Sequence, residues 1–339
     1  MRRIVFIIFA GFAIWAGLWV YGEDAKTERA ENWFVEQQEQ GWIAEYDELD
    51  VRGFPNRYDT YLKGVKLADT DTGWAWDAPE LEILSLSYQP NHLILVFPPE
   101  HELRTPKEDF LISHSDLKGS VVFEPSTDFE LNRSSFEGTG IVWLSEGKSE
   151  DHAVTVEDLR VSTRKTPGGV QSHDIAISAK NVGLGPSLLS QLSRANLDRT
   201  QFETINFTAT AGFRGVWDGP ALSRSGPDLR DLSVDNLEIQ FSDMRLRATG
   251  DLEVDRAGYP TGSLAVRAEN WQDIVSMASQ NGILSNDVAA AVTTGLELLS
   301  RFSGNEEHLD FTLRFSNRQA YAGPFPLGEA PVIWPVQRQ

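Results

Sequence analysis

Six histidines, His92, His101, His114, His152, His173 and His308, are the side chains of this chain best suited to proton transfer or metal binding. Their spacing serves neither purpose. There is no His-Glu-x-x-His pair and no close His-x-His, so no metal site is expected. The serines, Ser145 and Ser149 among them, lack the Gly-x-Ser-x-Gly elbow that would expose a nucleophile between strand and helix. Asp69-Thr70-Asp71-Thr72-Gly73 is rich in oxygen ligands and Glu80 follows, but Pro79 and the Trp-Ala-Trp run break any calcium loop, and a plain turn is expected. Gly168-Gly169 after Pro167 reads as a hairpin tip, not a phosphate cradle. Asp151-His152 and His173-Asp174 begin strand-like runs and are expected on solvated rims. No catalytic, cofactor-binding or metal residue is assigned, no cofactor is implied, and the chain is not expected to be an enzyme.

What remains is apolar chemistry. The chain carries 10 Trp and 18 Phe, enough to line a ligand surface as well as to fill a core. Trp74 and Trp76 alternate with Ala75, which puts both indoles on one side of a strand; Trp42, Tyr58, Tyr61 and Tyr88 are near in sequence. Leu237, Ile239 and Phe241 share one face of another strand, and Phe311 and Phe315 one face of a third. Trp74, Trp76, Leu237, Ile239, Phe241, Phe311 and Phe315 are thus the candidate hydrophobe-binding residues. The competing reading is that they fill an ordinary sheet core.

The elements that must position them alternate with period two. Strand-like runs cover Leu81 to Tyr88, His92 to Phe97, Leu117 to Phe123, Gly140 to Leu144, Val154 to Thr163, Asp174 to Ala179 and Thr204 to Phe213. In SVDNLEIQFSD, Val234, Leu237, Ile239 and Phe241 stand against polar neighbours. MRLRATGDLEVD does the same with Met244, Leu246, Leu252 and Val254. A turn at RAGYPTG then returns Leu264 and Val266, an antiparallel meander with one apolar face. LDFTLRFSN repeats the plan after an interruption of about 270–303. There Trp271, Ile274, Val275 and Ala278 have helical spacing, and after Gly282 so do Val288, Ala291, Val292, Leu296 and Leu299, with Ser285 as cap. A shorter helix with Leu188, Leu189 and Leu192 is expected after Gly185-Pro186. The Pro- and Gly-rich AYAGPFPLGEAPVIWPV is too apolar for a disordered tail and is expected to dock along a sheet edge.

The first 22 residues place the rest. Arg2 and Arg3 precede an uncharged run from Ile4 to Tyr21, and Glu23 and Asp24 follow. Eighteen such residues just span a hydrocarbon core of roughly 30 Å at about 1.5 Å per residue. Basic residues at the start orient the N-terminus inward, and the aromatic Trp15, Trp19 and Tyr21 suit the far interface. A cleaved signal peptide is the alternative, but Val20-Tyr21-Gly22 is a poor cleavage site. Residues 23–41 read as a juxtamembrane helix with Ala30, Trp33, Phe34 and Gln37 on one side and Gly41 as stop. Residues 42–339 form the β-rich part. Without Arg2 and Arg3 the chain holds 28 basic and 50 acidic residues, a net of −22, which excludes nucleic acid as a partner. There is no cysteine, hence no disulfide, thiolate catalysis or Cys-acylated anchor.

The pattern predicts a mainly β, α+β fold: an elongated, curved antiparallel sheet, groove-like or sandwich-like, with a few short helices packed on it and one N-terminal transmembrane helix. Several segments also resemble a known family. They are the basic-start membrane segment, Gly53-Phe54-Pro55 with Arg57, WDAPEL at 76–81, SYQPNHLILVFPP, WQDIVSMASQNGILS and Gly323-Pro324-Phe325-Pro326-Leu327-Gly328. By these the chain resembles, over nearly its whole length, the domain-of-unknown-function 2125 family of alphaproteobacterial envelope proteins. None of these segments is a catalytic motif, and the resemblance implies an envelope location but no activity. The alternating stretch Leu232 to Leu264 is more loosely similar to AsmA-like proteins, which implies a long β-sheet groove and a role in lipid transport or outer-membrane homeostasis.

Two functions are therefore expected to compete. One is a single-pass bacterial inner-membrane protein, its bulk in the periplasm, that binds or carries lipid or another hydrophobe in a sheet groove and maintains the envelope. The other is a non-enzymatic structural or interaction module of the envelope whose partners are other envelope proteins.

Overall fold

A computed structural model describes residues 2–126, 128–187, 201–219, 226–280, 290, 293 and 308–334, with backbone alone at 2–18, 277, 278, 280 and 308. The chain divides into two compact units: residues 1–125 with 136–147, and residues 126–135 with 148–339. Both are built from antiparallel strands, and the protein is mainly β with few helices.

The first unit opens with helix α1 (Arg2–Glu39), so the expected juxtamembrane helix continues the N-terminal one without a break. It stops where Gly41 takes the left-handed conformation, φ +91°, that favours glycine. Phe34 and Gln37 are buried; the Phe34 ring lies 4.7 Å from Tyr46 and joins Ala44, Leu62, Val65 and Leu81 in a core. Trp33, expected on the same buried side, is exposed. Higher up the helix, Trp19 Nε1 donates to Arg57 O at 2.9 Å, and Lys26 Nζ donates to Tyr58 O at 3.2 Å and to Ser85 Oγ. A Cβ on Gly22 would fall 2.1 Å from Tyr58 Oη, so only glycine lets the helix approach this closely. Residues 19, 22 and 26 form one stripe, by which the helix is held to the sheet.

The strands of this unit are β1 (Trp42–Glu45), β2 (Glu48–Arg52), β3 (Asp59–Asp69), β4 (Trp74–Leu86), β5 (Gln89–Val96), β6 (Glu100–Arg104), β7 (Asp109–Ser113), β8 (Asp116–Phe123) and the later part of β9 (Leu131–Ser145). β3 is paired along successive halves by β2 and β1, and β4 pairs β3 on one side and β5 and β6 on the other. β5 continues to β8, and β6 through β7 to β9. The Asp69 to Gly73 segment is the β3–β4 turn: Asp69 Oδ1 accepts from the amides of Asp71 and Thr72, and Asp69 Oδ2 from Thr72 Oγ1. Its oxygens are occupied in holding a turn.

The second unit is a meander in chain order: β10 (Val154–Lys165), β11 (Ser172–Leu184), β12 (Gln201–Phe213), β13 (Leu229–Phe241), β14 (Met244–Val254), β15 (Pro260–Glu269), β16 (His308–Ser316), β17 (Gln319–Ala322) and β18 (Phe325–Glu329), each antiparallel to the next. Helix α2 (Trp271–Gln280) carries Trp271, Ile274 and Val275 onto Ala268, Leu309 and Phe311. The proline-rich C-terminal stretch does pair along the sheet as β17 and β18, then Ala330, Ile333 and Trp334 pack on Leu232, Leu252, Phe315 and Phe213. The helix expected at Leu188 to Leu192 and the second helix of the insertion, with Ser285, Val288 and Leu296, lie outside the described residues. So do most side chains of the run Ile4 to Tyr21; among the residues searched, no helix is long and apolar enough to cross a membrane.

Candidate functional site

Because side chains alternate along each strand, pairing fixes which residues share a face. In the second unit the ladder aligns Val161, Ile177, Phe207, Leu237, Ala248, Val266 and Phe311 across seven strands. The next row on the same face is Leu159, Ala179, Ile205, Ile239, Leu246, Ala268 and Leu309. Every one of these fourteen is apolar. A bulge between Val234 and Leu237 keeps both on this face, although their odd spacing would put them on opposite ones.

The row between them belongs to the other face and reads Arg160, Ser178, Asn206, Glu238, Arg247, Arg267 and Asp310. Four of its charges pair: Arg247 Nε donates to Glu238 at 3.0 Å, and Arg267 donates in a fork to Asp310 at 2.7 and 2.8 Å; Ser178 Oγ donates to Asn206 at 2.8 Å. An open trough of about 460 Å³ lies over Arg247, Thr249, Arg267 and Thr312. Both guanidiniums there already hold carboxylates, so it is no anion site. Exposed pairs of this kind add little stability, about 0–1 kcal/mol each, but they make this side of the sheet polar and the other side the one that must be covered.

Cover on the apolar face is uneven. One end lies under α2, with Trp271 only 1% exposed. Another lies under the C-terminal segment, where Phe213 meets Trp217 and Trp334 at ring separations of 5.3 and 5.7 Å. Val161, Ile177, Phe207, Leu237 and Ile239, which continue the rows of the α2 cluster onto β10 to β13, are half-buried. A half-buried apolar row of this width can solvate an alkyl chain, each CH₂ contributing about 0.8 kcal/mol.

The seven residues expected to bind a hydrophobe do not form one set. Trp74 and Trp76 belong to the first unit and the other five to the second. Trp74 is exposed at the start of β4, whereas Trp76 lies edge-on to Phe97 at 6.0 Å within a core. Phe241 and Phe315 are buried, at 3% and 7%: Phe241 packs on Phe202, its partner on β12, at 4.7 Å, and Phe315 joins Leu252, Ala320 and Ala330 in a core. Leu237, Ile239 and Phe311 stay on the half-buried face. Val161, Ile177, Ile205 and Phe207 join them, and only the register of β10 to β13 reveals it.

Of the two histidines expected on rims, His152 is half-buried beside the exposed Asp151 and His173 is inside. His173 is 5% exposed, its ring 6.2 Å from Phe213. His101 is buried among Trp76, Phe97 and His114, with ring separations of 5.9, 6.0 and 5.6 Å. Burial holds all three, His101, His114 and His173, below the ordinary histidine value of 6.5. Asp174 beside His173 is raised by burial but lowered more by bonds from Thr166, Arg164 and Thr210, and stays below its ordinary 3.8. Among the described residues no three His, Asp or Glu side chains are grouped to hold a metal.

The histidines give a pH dependence with a definite sign. The unfolded chain takes up protons first, so their contribution is intact above about pH 6.5 and is lost as the pH falls through the depressed folded values. Urea midpoints are expected to fall between pH 7.5 and 5, and His101→Gln to flatten that fall. A midpoint constant over this range would contradict the burial of these rings.

The model of the family described as "Uncharacterized protein conserved in bacteria (DUF2125)" matches residues 19–331. No curated protein and no solved structure matches the chain.

Proposed function

Because the chain belongs to this DUF2125 family of bacterial proteins, we propose that it is an inner-membrane-anchored periplasmic protein that holds lipid or another hydrophobe on the apolar face of its β10–β16 sheet and so serves envelope maintenance. The observation that carries this reading is the double row of apolar side chains across seven strands, half-buried in its middle and backed by a polar row on the opposite face. A sheet with one apolar face must cover it, and an acyl chain suits a row of branched and aromatic side chains with no hydrogen-bonding group among them. The anchor is supported by Arg2 and Arg3 ahead of the uncharged Ile4 to Tyr21 run. The alternating pattern of Leu232 to Leu264, similar to AsmA-like groove proteins, agrees with a lipid cargo.

The burial of Phe241 and Phe315 favours the second reading, an envelope interaction module whose core is closed. Titration of lipid-stripped full-length protein with a fluorescent acyl chain separates the two. Saturable binding that phospholipid displaces supports the carrier; absence of saturable binding by folded protein leaves the interaction module.

A further inference from the structure

The first unit reaches down its helix to Trp19. The indole is only 8% exposed: Phe54 meets it edge-on at 5.3 Å, Tyr58 stacks on it at 5.6 Å, and its Nε1 is bonded to Arg57 O. Ser87 N of the β4–β5 turn donates to Asn56 O at 2.9 Å, which brings that turn and the 53–58 loop to the same level. Around this level four large apolar side chains face outward: Val20, Tyr21, Phe54 and Tyr88, the two tyrosines 75% and 67% exposed.

The length of the helix beyond this point is what matters. From Ile4 to Leu18 there are 15 residues, about 22 Å of helix at 1.5 Å per residue, short of a hydrocarbon core of roughly 30 Å. If the helix is to span, the protein gripping it at Trp19 must itself enter the outer interface. Tyrosine and phenylalanine on the surface at that level suit that interface.

We infer that the end of the first unit formed by Phe54, Tyr88, Val20 and Tyr21 is a bilayer-docking surface, seated at the headgroup boundary of the membrane that the helix spans. The inference rests on the anchoring proposed above and adds that the folded unit is held on the lipid, not suspended above it.

Since the chain has no cysteine, single nitroxide labels can be placed at will in full-length protein reconstituted into phosphatidylethanolamine and phosphatidylglycerol vesicles. Four positions suffice: Tyr88→Cys, Phe54→Cys, Ala10→Cys in the helix, and Asp71→Cys in the β3–β4 turn, about 40 Å from Tyr88 along β4 at 3.3 Å per residue. Accessibility to oxygen relative to a water-soluble nickel chelate is expected to be several-fold higher at 88 and 54 than at 71, at interfacial depth. Labels at 88 and 54 as aqueous as that at 71, with the label at 10 in lipid, would overturn the docking surface and leave the anchor. An aqueous label at 10 would overturn the anchor and the docking surface with it.

Discussion

Phe213→Ala is expected to lower the unfolding free energy by about 3–5 kcal/mol, the usual cost of truncating a buried aromatic side chain. Phe213 is 1% exposed and touches three rings, Trp217, Trp334 and His173, besides Leu229 and Val254. Edge-on aromatic pairs add about 0.5–1.5 kcal/mol beyond their buried area. The residue also joins the C-terminal segment to β12, so the truncation loosens Trp334 as well as opening a cavity. At roughly 2–4 °C per kcal/mol for a unit of this size, Tm should fall by about 6–20 °C. Phe213→Leu, which keeps most of the volume, should lose far less. A loss below about 1 kcal/mol for the alanine variant would mean that the C-terminal segment does not dock there.

The larger functional effect is expected from Leu237→Asp. Leu237 stands in the middle of the apolar row, paired with Phe207 on one side and Ala248 on the other. Because it is half-buried, a carboxylate there keeps some water in the free protein and the fold should persist. An acyl chain laid on the row would have to strip that water with nothing to replace it, a cost of several kcal/mol. At 1.4 kcal/mol per tenfold, binding should weaken by about 100-fold or more. Glu238→Gln, one residue along and on the opposite face, removes a half-buried carboxylate that Arg247 and Arg245 share and should leave binding unchanged. Equal loss in both variants would show that the effect is on the fold and not on the face.

The period-two signal was strongest where strands are long and carry one apolar face, and the runs from Val154 to Val266 were legible on that ground. It failed where the phase slips. In β3, Thr60 and Leu62 are buried and then Val65, because Gly64, at φ +60°, shifts the alternation by one. Strands β6, EHELR, and β7, DFLIS, are five residues each and too short for a pattern to show. Trp74 and Trp76 illustrate the limit of reading a face: alternation set them on the same side, yet the strand end leaves one ring in water and the other against Phe97. His173 went the same way, since a histidine beside an aspartate reads as polar until Phe213 is brought across from β12.

The half-buried middle of the face had to come from register. Phe207 is 30 residues from Leu237 and 30 from Ile177, and nothing local shows that the three stand in one row. Once the ladder is known, the chemistry of the row is simple, because no side chain in it can hydrogen-bond.

The most direct measurement is native mass spectrometry of the full-length protein extracted gently from bacterial membranes, with the bound fraction identified after solvent extraction. About one lipid per chain is expected, retained by the parent protein and by Glu238→Gln and absent from Leu237→Asp. A folded protein that arrives empty, and takes up no lipid when supplied with it, would rule out a lipid carrier.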